Sequence, residues 1–345
     1  MATTEEKKVP TTEKEGPSTS GKKKFTVPEL PPVPNPVNPP PDADNWLWRH
    51  HDVNDGVHDH EHMPKEFDAI PAPLTANVTP QNPLEVDVFD SIRSPYSYLV
   101  INRLAYLQSN YNCKVTMRVI FPGAIRMPDV AGGAVDDMGH QVHQEPAQET
   151  HYKQGGRWYK WADCVWDCYR VAQFQGIPWK FANPDPIDQN HYPFLGLDYG
   201  QVPTIENQTW ISWMVRLANA AQLNGKSMEF LLFTGPLIWG GQSDFWPADI
   251  PAAWNKLQTE LNYDETIADI QKNPEKYDAC WQEGQLMQLA SGHGGVPNMC
   301  FRGEPFFGQD RFDHLFWRLR QNGLTMRDEP IWPHVTKPIR WPDGI

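Results

Sequence analysis

The sequence lacks an excess of positive charge. It has 30 lysines and arginines against 43 aspartates and glutamates, a formal net charge of −13 at pH 7. Its basic runs are short, Lys7-Lys8 and Lys22-Lys23-Lys24, and both lie near the N-terminus. Because nucleic acids and anionic membranes are bound through basic surfaces, neither class of partner is expected.

Long apolar runs are missing as well. The mean hydropathy is −0.61, and no stretch approaches the roughly 18 apolar residues of a membrane-spanning helix. The first residues are charged and polar, without the apolar segment of a secretion signal. The sequence therefore predicts a cytoplasmic protein.

Cysteine is scarce and scattered. The five cysteines, at positions 113, 164, 168, 280 and 300, form no C-x-x-C pair. Their odd number and spacing argue against a disulfide framework and against a dithiol redox centre. We expect five reduced thiols.

Proline, by contrast, is abundant at the N-terminal end. Fifteen of the 34 prolines lie in residues 1–83, eight of them between Pro28 and Pro41. Low apolar content and fixed proline φ angles predict a disordered start over about 1–24 and an extended segment over about 25–41. We expect residues 1–83 to form an arm that lies along a partner surface, such as that of a neighbouring subunit.

A histidine-rich stretch lies inside this arm, at His50, His51, His58, His60 and His62. Imidazoles beside carboxylates suit a divalent metal, but no pair has the H-E-x-x-H spacing that places two ligands on one helical face. The favoured interpretation is a polar surface segment anchored by Trp46 and Trp48. No metal site is predicted.

Aromatic residues make up 12% of the chain, including 15 tryptophans. Such side chains supply large buried area and also line apolar ligand pockets. Both interpretations stay open, with a tryptophan-rich core favoured.

Alternating apolar and polar residues begin at Leu84 and predict a strand over 84–90. Ser94 and Pro95 are typical of a helix N-terminus, and the apolar spacing predicts a helix over 96–109. A β-rich stretch over 114–121 completes a strand–helix–strand unit, for which a parallel pair is expected. The fold class is therefore α/β.

The rest of the chain is predicted to be mainly helical, then a hairpin and a final helix. The expected helices span roughly 157–175, 207–224, 226–238, 250–261, 264–271 and 274–290. After Gly295-Val296-Pro297 a hairpin follows, and then an amphipathic helix over about 310–321.

Two segments resemble a known family. Val88 to Leu99, with its Ser-Pro-Tyr-Ser, is similar to the opening of 2-hydroxychromene-2-carboxylate isomerases and kappa-class glutathione transferases, and Gly295-Val296-Pro297 with Phe307 to Asp313 is similar to their closing motif. These belong to the DsbA-like thioredoxin superfamily. The likeness spans about 84–322.

The resemblance implies a thioredoxin-like domain, 84–125 and 290–322, split by a loop insertion and helical domain, 126–289. The N-terminal arm, 1–83, and a C-terminal tail, 323–345, lie outside it. Because Ser94 stands where redox relatives carry cysteine, dithiol exchange is not expected.

The resemblance also implies a cofactor site for glutathione. Its thiol would lie by Ser94, its cysteinyl backbone would pair with the residue before a cis-proline, Val296-Pro297, and its γ-glutamyl amine would meet Gln309 and Asp310. A helix N-terminus favours the negative charge of a thiolate. For Asp310, a simple helix N-cap is the alternative.

Further residues are predicted to belong to the site. Tyr96 is assigned a catalytic role and Tyr98 a substrate contact, although aromatic residues in a first helix are more often core. Arg93 is a carboxylate contact or a surface charge. Three residues are candidates for the cation that holds glutathione in relatives, namely Lys153, Arg157 and Lys160, and Lys160 is selected. The polar insertion over 123–154 is hypothesised to be a lid.

The function that the resemblance implies is that of a glutathione-dependent isomerase. Its substrate would be a small aromatic compound with a conjugated side chain, and its setting the degradation of aromatic compounds. The alternatives are a glutathione transferase or lyase acting on a larger aromatic compound, or a non-catalytic ligand-binding or assembly protein.

Overall fold

The computed structural model describes residues 25–34, 77–126, 156–187, 208–291 and 293–343. The histidine-rich stretch, most of the 123–154 insertion and Lys153 lie outside these ranges, as do the side chains of Arg157 and Lys160. The predictions made for them remain predictions.

A four-stranded sheet lies at the centre of the described residues. Its strands are β1 (Leu84–Asp90), β2 (Cys113–Val119), β3 (Asn298–Phe301) and β4 (Glu304–Phe307), in the order β2-β1-β3-β4. β1 runs parallel to β2 and antiparallel to β3, and β3 and β4 form an antiparallel hairpin. This topology is thioredoxin-like, and the predicted fold class is confirmed.

Helices connect and cover the strands. They are α1 (Pro95–Asn110), α2 (Gly123–Arg126), α3 (Gly156–Gln175), α4 (Thr209–Leu223), α5 (Ser227–Ile238), α6 (Ile250–Asn255), α7 (Tyr263–Lys272), α8 (Pro274–Ala290) and α9 (Phe312–Gln321). None of those in the described ranges combines the length and apolar character needed to cross a bilayer.

One helix is shorter than its sequence pattern predicts. A single helix was expected over 250–261, but α6 ends at Asn255 and a 3₁₀ turn, Trp246–Asp249, precedes it. A backbone conformation and a hydrogen bond explain the early end. Gln258 has a positive φ of 53°, and the Trp254 ring N–H donates to the Leu261 carbonyl at 3.1 Å. Both hold residues 256–261 in a loop that leads into α7.

The buried side chains of sheet and helices form one continuous core. Its largest fully buried members are the tryptophans Trp213, Trp246, Trp254 and Trp281. The ring planes of Trp213 and Trp246 are stacked with centroids 6.3 Å apart. This confirms the interpretation that much of the tryptophan content serves the core.

Residues 25–34 of the arm form neither helix nor strand and pack against the core of the same chain. The Phe25 ring packs against Trp213, with centroids 5.3 Å apart. The guanidinium of Arg216 donates to the carbonyl of Pro32 at 3.1 Å and also to that of Pro31. The Gln271 amide donates to the Glu29 carbonyl at 2.8 Å. The predicted contact of the arm with a neighbouring subunit stays a prediction.

The C-terminal segment after α9 also joins the core. Trp341 packs against Tyr106 and Phe316, with ring centroids 4.7 and 5.0 Å away. The Ile339 side chain, although 75% exposed, lies so close to Gly176 that a Cβ there would come within 2.3 Å of it. Gly176 also has a φ of +67°, which suits the residue after a helix end.

Candidate functional site

Ser94 caps the N-terminus of α1, as the sequence predicts. Its backbone is extended, and its Oγ accepts a hydrogen bond from the Ser97 N–H at 3.3 Å. Pro95 occupies the first helical turn, where its missing N–H costs nothing. The half-buried hydroxyl therefore lies at the N-terminal end of a 16-residue helix.

The peptide bond between Val296 and Pro297 is cis, and it lies opposite Ser94. The Ser94 Oγ is 3.5 Å from the Val296 carbonyl oxygen, a long hydrogen bond across 202 positions of sequence. On the other side of the proline, the Gly308 N–H donates to the Pro297 carbonyl at 2.9 Å. The fold thus brings together the two motifs that the sequence analysis paired.

Gln309 and Asp310 lie in a 3₁₀ turn, Gln309–Arg311, that precedes α9. The alternative interpretation of Asp310 as a helix N-cap is wrong, because α9 begins at Phe312 without a side-chain cap. The Asp310 carboxylate is instead 58% exposed and pairs with Arg311 at 2.8 Å. It is therefore accessible to a ligand.

The Gln309 side chain points into the protein. Its Oε1 accepts hydrogen bonds from Arg103 at 2.7 Å and from Gln175 at 2.8 Å. Arg103 lies on α1, donates also to the Gln309 carbonyl, and faces Asp313 at 3.5 Å. Burial lowers the pKa of the Arg103 guanidinium to about 10. Through these hydrogen bonds Gln309 connects α1 and α3 to the turn that carries Asp310.

Sequence reasoning missed Arg103. One signal was available: a single arginine stands on the apolar face of the predicted first helix, between Ile101 and Leu104. A buried guanidinium needs acceptors, so such a residue indicates a partner from a distant segment. The partner itself was not visible in the pattern.

The two tyrosines of α1 face different surroundings. The Tyr98 ring is buried, and its hydroxyl donates to the Pro178 carbonyl at 2.8 Å. Burial raises the pKa of this phenol to about 12. The half-buried Tyr96 donates to the Asp167 carboxylate at 2.7 Å, and burial and that bond raise its pKa. Both hydroxyls have protein partners.

Arg93 forms a two-point ion pair with Asp185. Its Nε and Nη2 each donate to a carboxylate oxygen at 3.2 Å, and its side chain is 14% exposed. Two interpretations of Arg93 were considered, a carboxylate contact and a surface charge. The ion pair with Asp185 excludes a freely solvated surface charge. A substrate carboxylate would have to share the guanidinium with Asp185.

A small cavity, lined by polar and apolar side chains, lies behind Ser94 at the carboxyl end of β1. Its volume is about 10 Å³, and Asp90, Ser91 and Ser97 line it together with Thr234 and Trp239. The Asp90 Oδ2 and the hydroxyls of Ser91 and Ser97 are buried, with no hydrogen-bond partner among the described residues. Burial raises the pKa of Asp90 to about 7, and the neighbouring Ser97 side chain offsets this only in part.

A wider cavity of about 470 Å³ lies at the outer edge of β4. Its lining includes His293, Phe307, Arg311, His314 and Trp317. The His293 and Phe307 rings are stacked with centroids 3.9 Å apart, and burial lowers the pKa of His293. Arg311 lines this cavity and also pairs with Asp310, so it connects the cavity to the 3₁₀ turn Gln309–Arg311.

Metal-binding groups do not come together in the described ranges, where no cluster of three histidine, cysteine, aspartate or glutamate side chains is found. The histidines at 50–62 lie outside these ranges.

No protein-family model matches the sequence. No curated protein matches it. Among solved structures, the chain is similar to a 2-hydroxychromene-2-carboxylate isomerase, with 19% identity, a TM-score of 0.44, and 69% of this chain and 95% of that one covered. It is also similar to a probable DsbA oxidoreductase from Streptomyces coelicolor, with 15% identity, a TM-score of 0.43, and 69% and 90% covered. Similarity at this level says nothing about activity.

Proposed function

We propose that the chain is a glutathione-dependent isomerase that acts on an aromatic substrate with a conjugated side chain. The observation that supports this is the placement of the Ser94 hydroxyl at the N-terminus of α1, 3.5 Å from the carbonyl before a cis-proline. A hydroxyl there can donate to a thiolate without reacting with it, and the helix end favours the negative charge. The nucleophile then comes from the cofactor.

The cofactor has a defined region to occupy. The cavity behind Ser94, about 10 Å³, holds a single water at most. Glutathione therefore binds on the outer side, with its sulfur at Ser94, its backbone along Val296 and its ammonium group at the exposed Asp310. Lys160 is the proposed cation for a glutathione carboxylate.

In the proposed reaction the thiolate adds to a conjugated carbon of the substrate. The double bond becomes single and rotates, and elimination of the same thiolate restores the double bond in the other geometry. No atom is gained or lost overall. Ser94 stabilises the thiolate before addition and after elimination, and Arg93 and Tyr96 are proposed to orient the substrate.

Glutathione binding tests this proposal directly. Calorimetry should show saturable binding to the wild type, weakened about tenfold by Asp310→Ala, since a hydrogen bond to a charged group is worth about 1.5–3 kcal/mol. Ser94→Ala should raise the pKa of the bound thiol, followed by thiolate absorbance against pH. The matched control is Glu85→Gln, which changes a carboxylate, 69% exposed, on β1.

Two results would count against the proposal. One is the absence of binding at millimolar glutathione, and the other is a thiol pKa that does not respond to Ser94→Ala. Because that variant also loses a helix cap worth about 1 kcal/mol, its thermal unfolding is measured first. With a conjugated aromatic acid as substrate, an isomerase regenerates free glutathione, whereas a transferase leaves the glutathionyl group on the product.

We further propose a reducing compartment such as the cytoplasm, supported by the five cysteines, all of which are free thiols. A homodimer is proposed as the assembly, and light scattering in solution tests it.

A further inference from the structure

The cavity of about 470 Å³ at the outer edge of β4 has no part in the proposed isomerase reaction, because neither Ser94 nor Val296 lines it. Its volume falls in the range of about 300–1,000 Å³ that small-molecule sites occupy. Two aromatic rings of its lining are well exposed, Phe307 to 44% and Trp317 to 42%. Two large rings left open around one cavity indicate a surface for a planar ligand.

We propose that this cavity binds a planar aromatic carboxylate, whose ring lies against Phe307 and Trp317 and whose carboxylate is held by Arg311. The proposal goes beyond the isomerase reaction, since this is a second site at which a ligand is bound and not converted. Among the described residues, no serine, threonine or cysteine lines the cavity. A covalent step is therefore not part of the proposal.

The carboxylate site is the open side of the Arg311 guanidinium. In three other arginines the Nε and Nη2 atoms donate together to the two oxygens of one carboxylate. These pairs are Arg93–Asp185, Arg216–Asp278 and Arg318–Glu304. Arg311 instead gives its Nη1 to Asp310, at 2.8 Å. Within the ranges that the structure describes, its Nε and Nη2 have no partner. This side of a guanidinium matches the two oxygens of a carboxylate.

The other polar groups around the cavity are compatible with an anion. Glu304 has both of its oxygens taken by Arg318, at 2.7 and 3.0 Å. His293 accepts the Gly295 N–H on its Nδ1 at 3.0 Å, which leaves the proton of the neutral ring on Nε2. Burial lowers the pKa of His293, so the ring is neutral at pH 7. His293 therefore offers a ligand a donor, as Arg311 does.

The two exposed rings are held in place by other groups. The Phe307 ring stacks on His293 with centroids 3.9 Å apart. Both rings lie against the Gly295 backbone, where a Cβ would come within 2.3 Å of Phe307 and 2.8 Å of His293. On α9, the Arg318 guanidinium lies 4.8 Å from the centre of the Trp317 ring. Side chains that are immobilised before binding lose little conformational freedom when a ligand arrives, which favours binding.

Calorimetry with 2-naphthoate tests the site in the absence of glutathione. We expect saturable binding to the wild type and an affinity at least about tenfold lower for Arg311→Gln, because a two-point charged hydrogen bond is lost. The matched control is Arg320→Gln, which removes an exposed arginine of α9 that does not line the cavity. The uncharged 2-naphthamide should bind more weakly than 2-naphthoate and should not distinguish Arg311→Gln from the wild type. Equal affinities of the two proteins for 2-naphthoate, or no binding at millimolar concentration, would overturn the proposal.

A variant near Ser94 separates this site from the proposed isomerase site. Arg93 is proposed to orient the isomerase substrate, so an aromatic acid could bind there instead. We expect Arg93→Gln to keep the wild-type affinity for 2-naphthoate. A loss of affinity in Arg93→Gln, with none in Arg311→Gln, would place the ligand beside Ser94 and reject the second site while supporting the isomerase.

Variants of the two rings test the planar part of the ligand. Phe307→Leu and Trp317→Leu should each lower the affinity for 2-naphthoate about fivefold, because stacking on an aromatic face is lost. Phe174→Leu is the control, since this ring is 61% exposed but lies outside the cavity. Wild-type affinity in both ring variants would show that the rings do not contact the ligand.

Photo-crosslinking locates the ligand on the chain. The probe is 4-benzoylbenzoate, an aromatic carboxylate that bonds to neighbouring C–H groups under ultraviolet light. Peptide mass spectrometry should find the label within residues 304–317, and an excess of 2-naphthoate should prevent labelling. A label spread over the chain, or concentrated on residues 93–98, would contradict the assignment. Because none of these experiments contains glutathione, their failure would leave the isomerase proposal untouched.

Discussion

Replacing Asp90 by asparagine should make the protein more stable than the wild type above pH 7, by about 4 kcal/mol in the free energy of unfolding. The reason is burial: the pKa of this carboxyl rises from 3.8 to about 7 in the folded protein. The difference between these two pKa values corresponds to about 4 kcal/mol in the free energy of unfolding, at roughly 1.4 kcal/mol per pKa unit. Asparagine fits the same space and never ionises.

The sign follows from proton binding. Between about pH 4 and pH 7 the folded wild type holds the Asp90 proton more tightly than the unfolded chain does, so its stability falls as pH rises. Above pH 7 both states are ionised, and the difference from the variant is constant. Near pH 4 the two proteins should be equally stable.

Urea unfolding at pH 4, 6 and 8 measures this difference. Asp310→Asn is the control, because its carboxylate is 58% exposed, and its curve should follow that of the wild type. Parallel curves for Asp90→Asn and wild type across this range would show that the carboxyl is solvated. The cavity with its unpartnered hydroxyls would then have to contain more water than its volume suggests.

Replacing Asp278 by asparagine should have a similarly large effect in the opposite direction. Arg216 is completely buried, and its Nε and Nη2 donate to the two Asp278 carboxylate oxygens at 2.9 and 2.7 Å. Removing one partner of a buried pair leaves an uncompensated charge, which costs about 3–5 kcal/mol. We expect a loss of that size in the free energy of unfolding.

The same variant should loosen the arm, because Arg216 also donates to the carbonyls of Pro31 and Pro32. Faster proteolysis within residues 25–34 is the second readout. The control is Glu85→Gln in the exposed pair with Lys114, where the nitrogen and oxygen are also close, 3.0 Å apart. There the loss should stay under about 1 kcal/mol. A loss for Asp278→Asn as small as that of the control would mean that the pair is solvated.

The elements that sequence predicted well are those with strong local patterns. β1 alternates apolar and polar residues over its first five positions, and α1 begins with a serine cap and a proline, so both were placed within a residue of their ends. The juxtaposition of Ser94 with Val296 was predicted only because two motifs resemble a known family. Periodicity alone could not have joined segments so far apart.

The features that the sequence predicted wrongly, or did not predict, also have physical causes. The 250–261 pattern is helical in composition, but the Asn262 capping box starts α7 anew and the residues before it must leave the helix. Arg103 and Gln309 are joined by a tertiary contact that neither segment encodes by itself. In the C-terminal segment Trp341 lies among prolines and the sequence shows no hydrophobic periodicity. No sequence pattern therefore indicated that Trp341 belongs to the core.

The docking of both ends of the chain has a consequence for synthesis. The Thr325 hydroxyl donates to the Val78 carbonyl, 247 positions away. The Ser109 hydroxyl donates to the Trp332 carbonyl, 223 positions away. The Gln271 amide donates to the Glu29 carbonyl. Contacts of such high sequence separation slow folding, because a long loop must close before they stabilise anything. During translation α1 forms before the C-terminal segment that covers it has been made. The apolar surface of α1 is then exposed, and a chaperone would bind there.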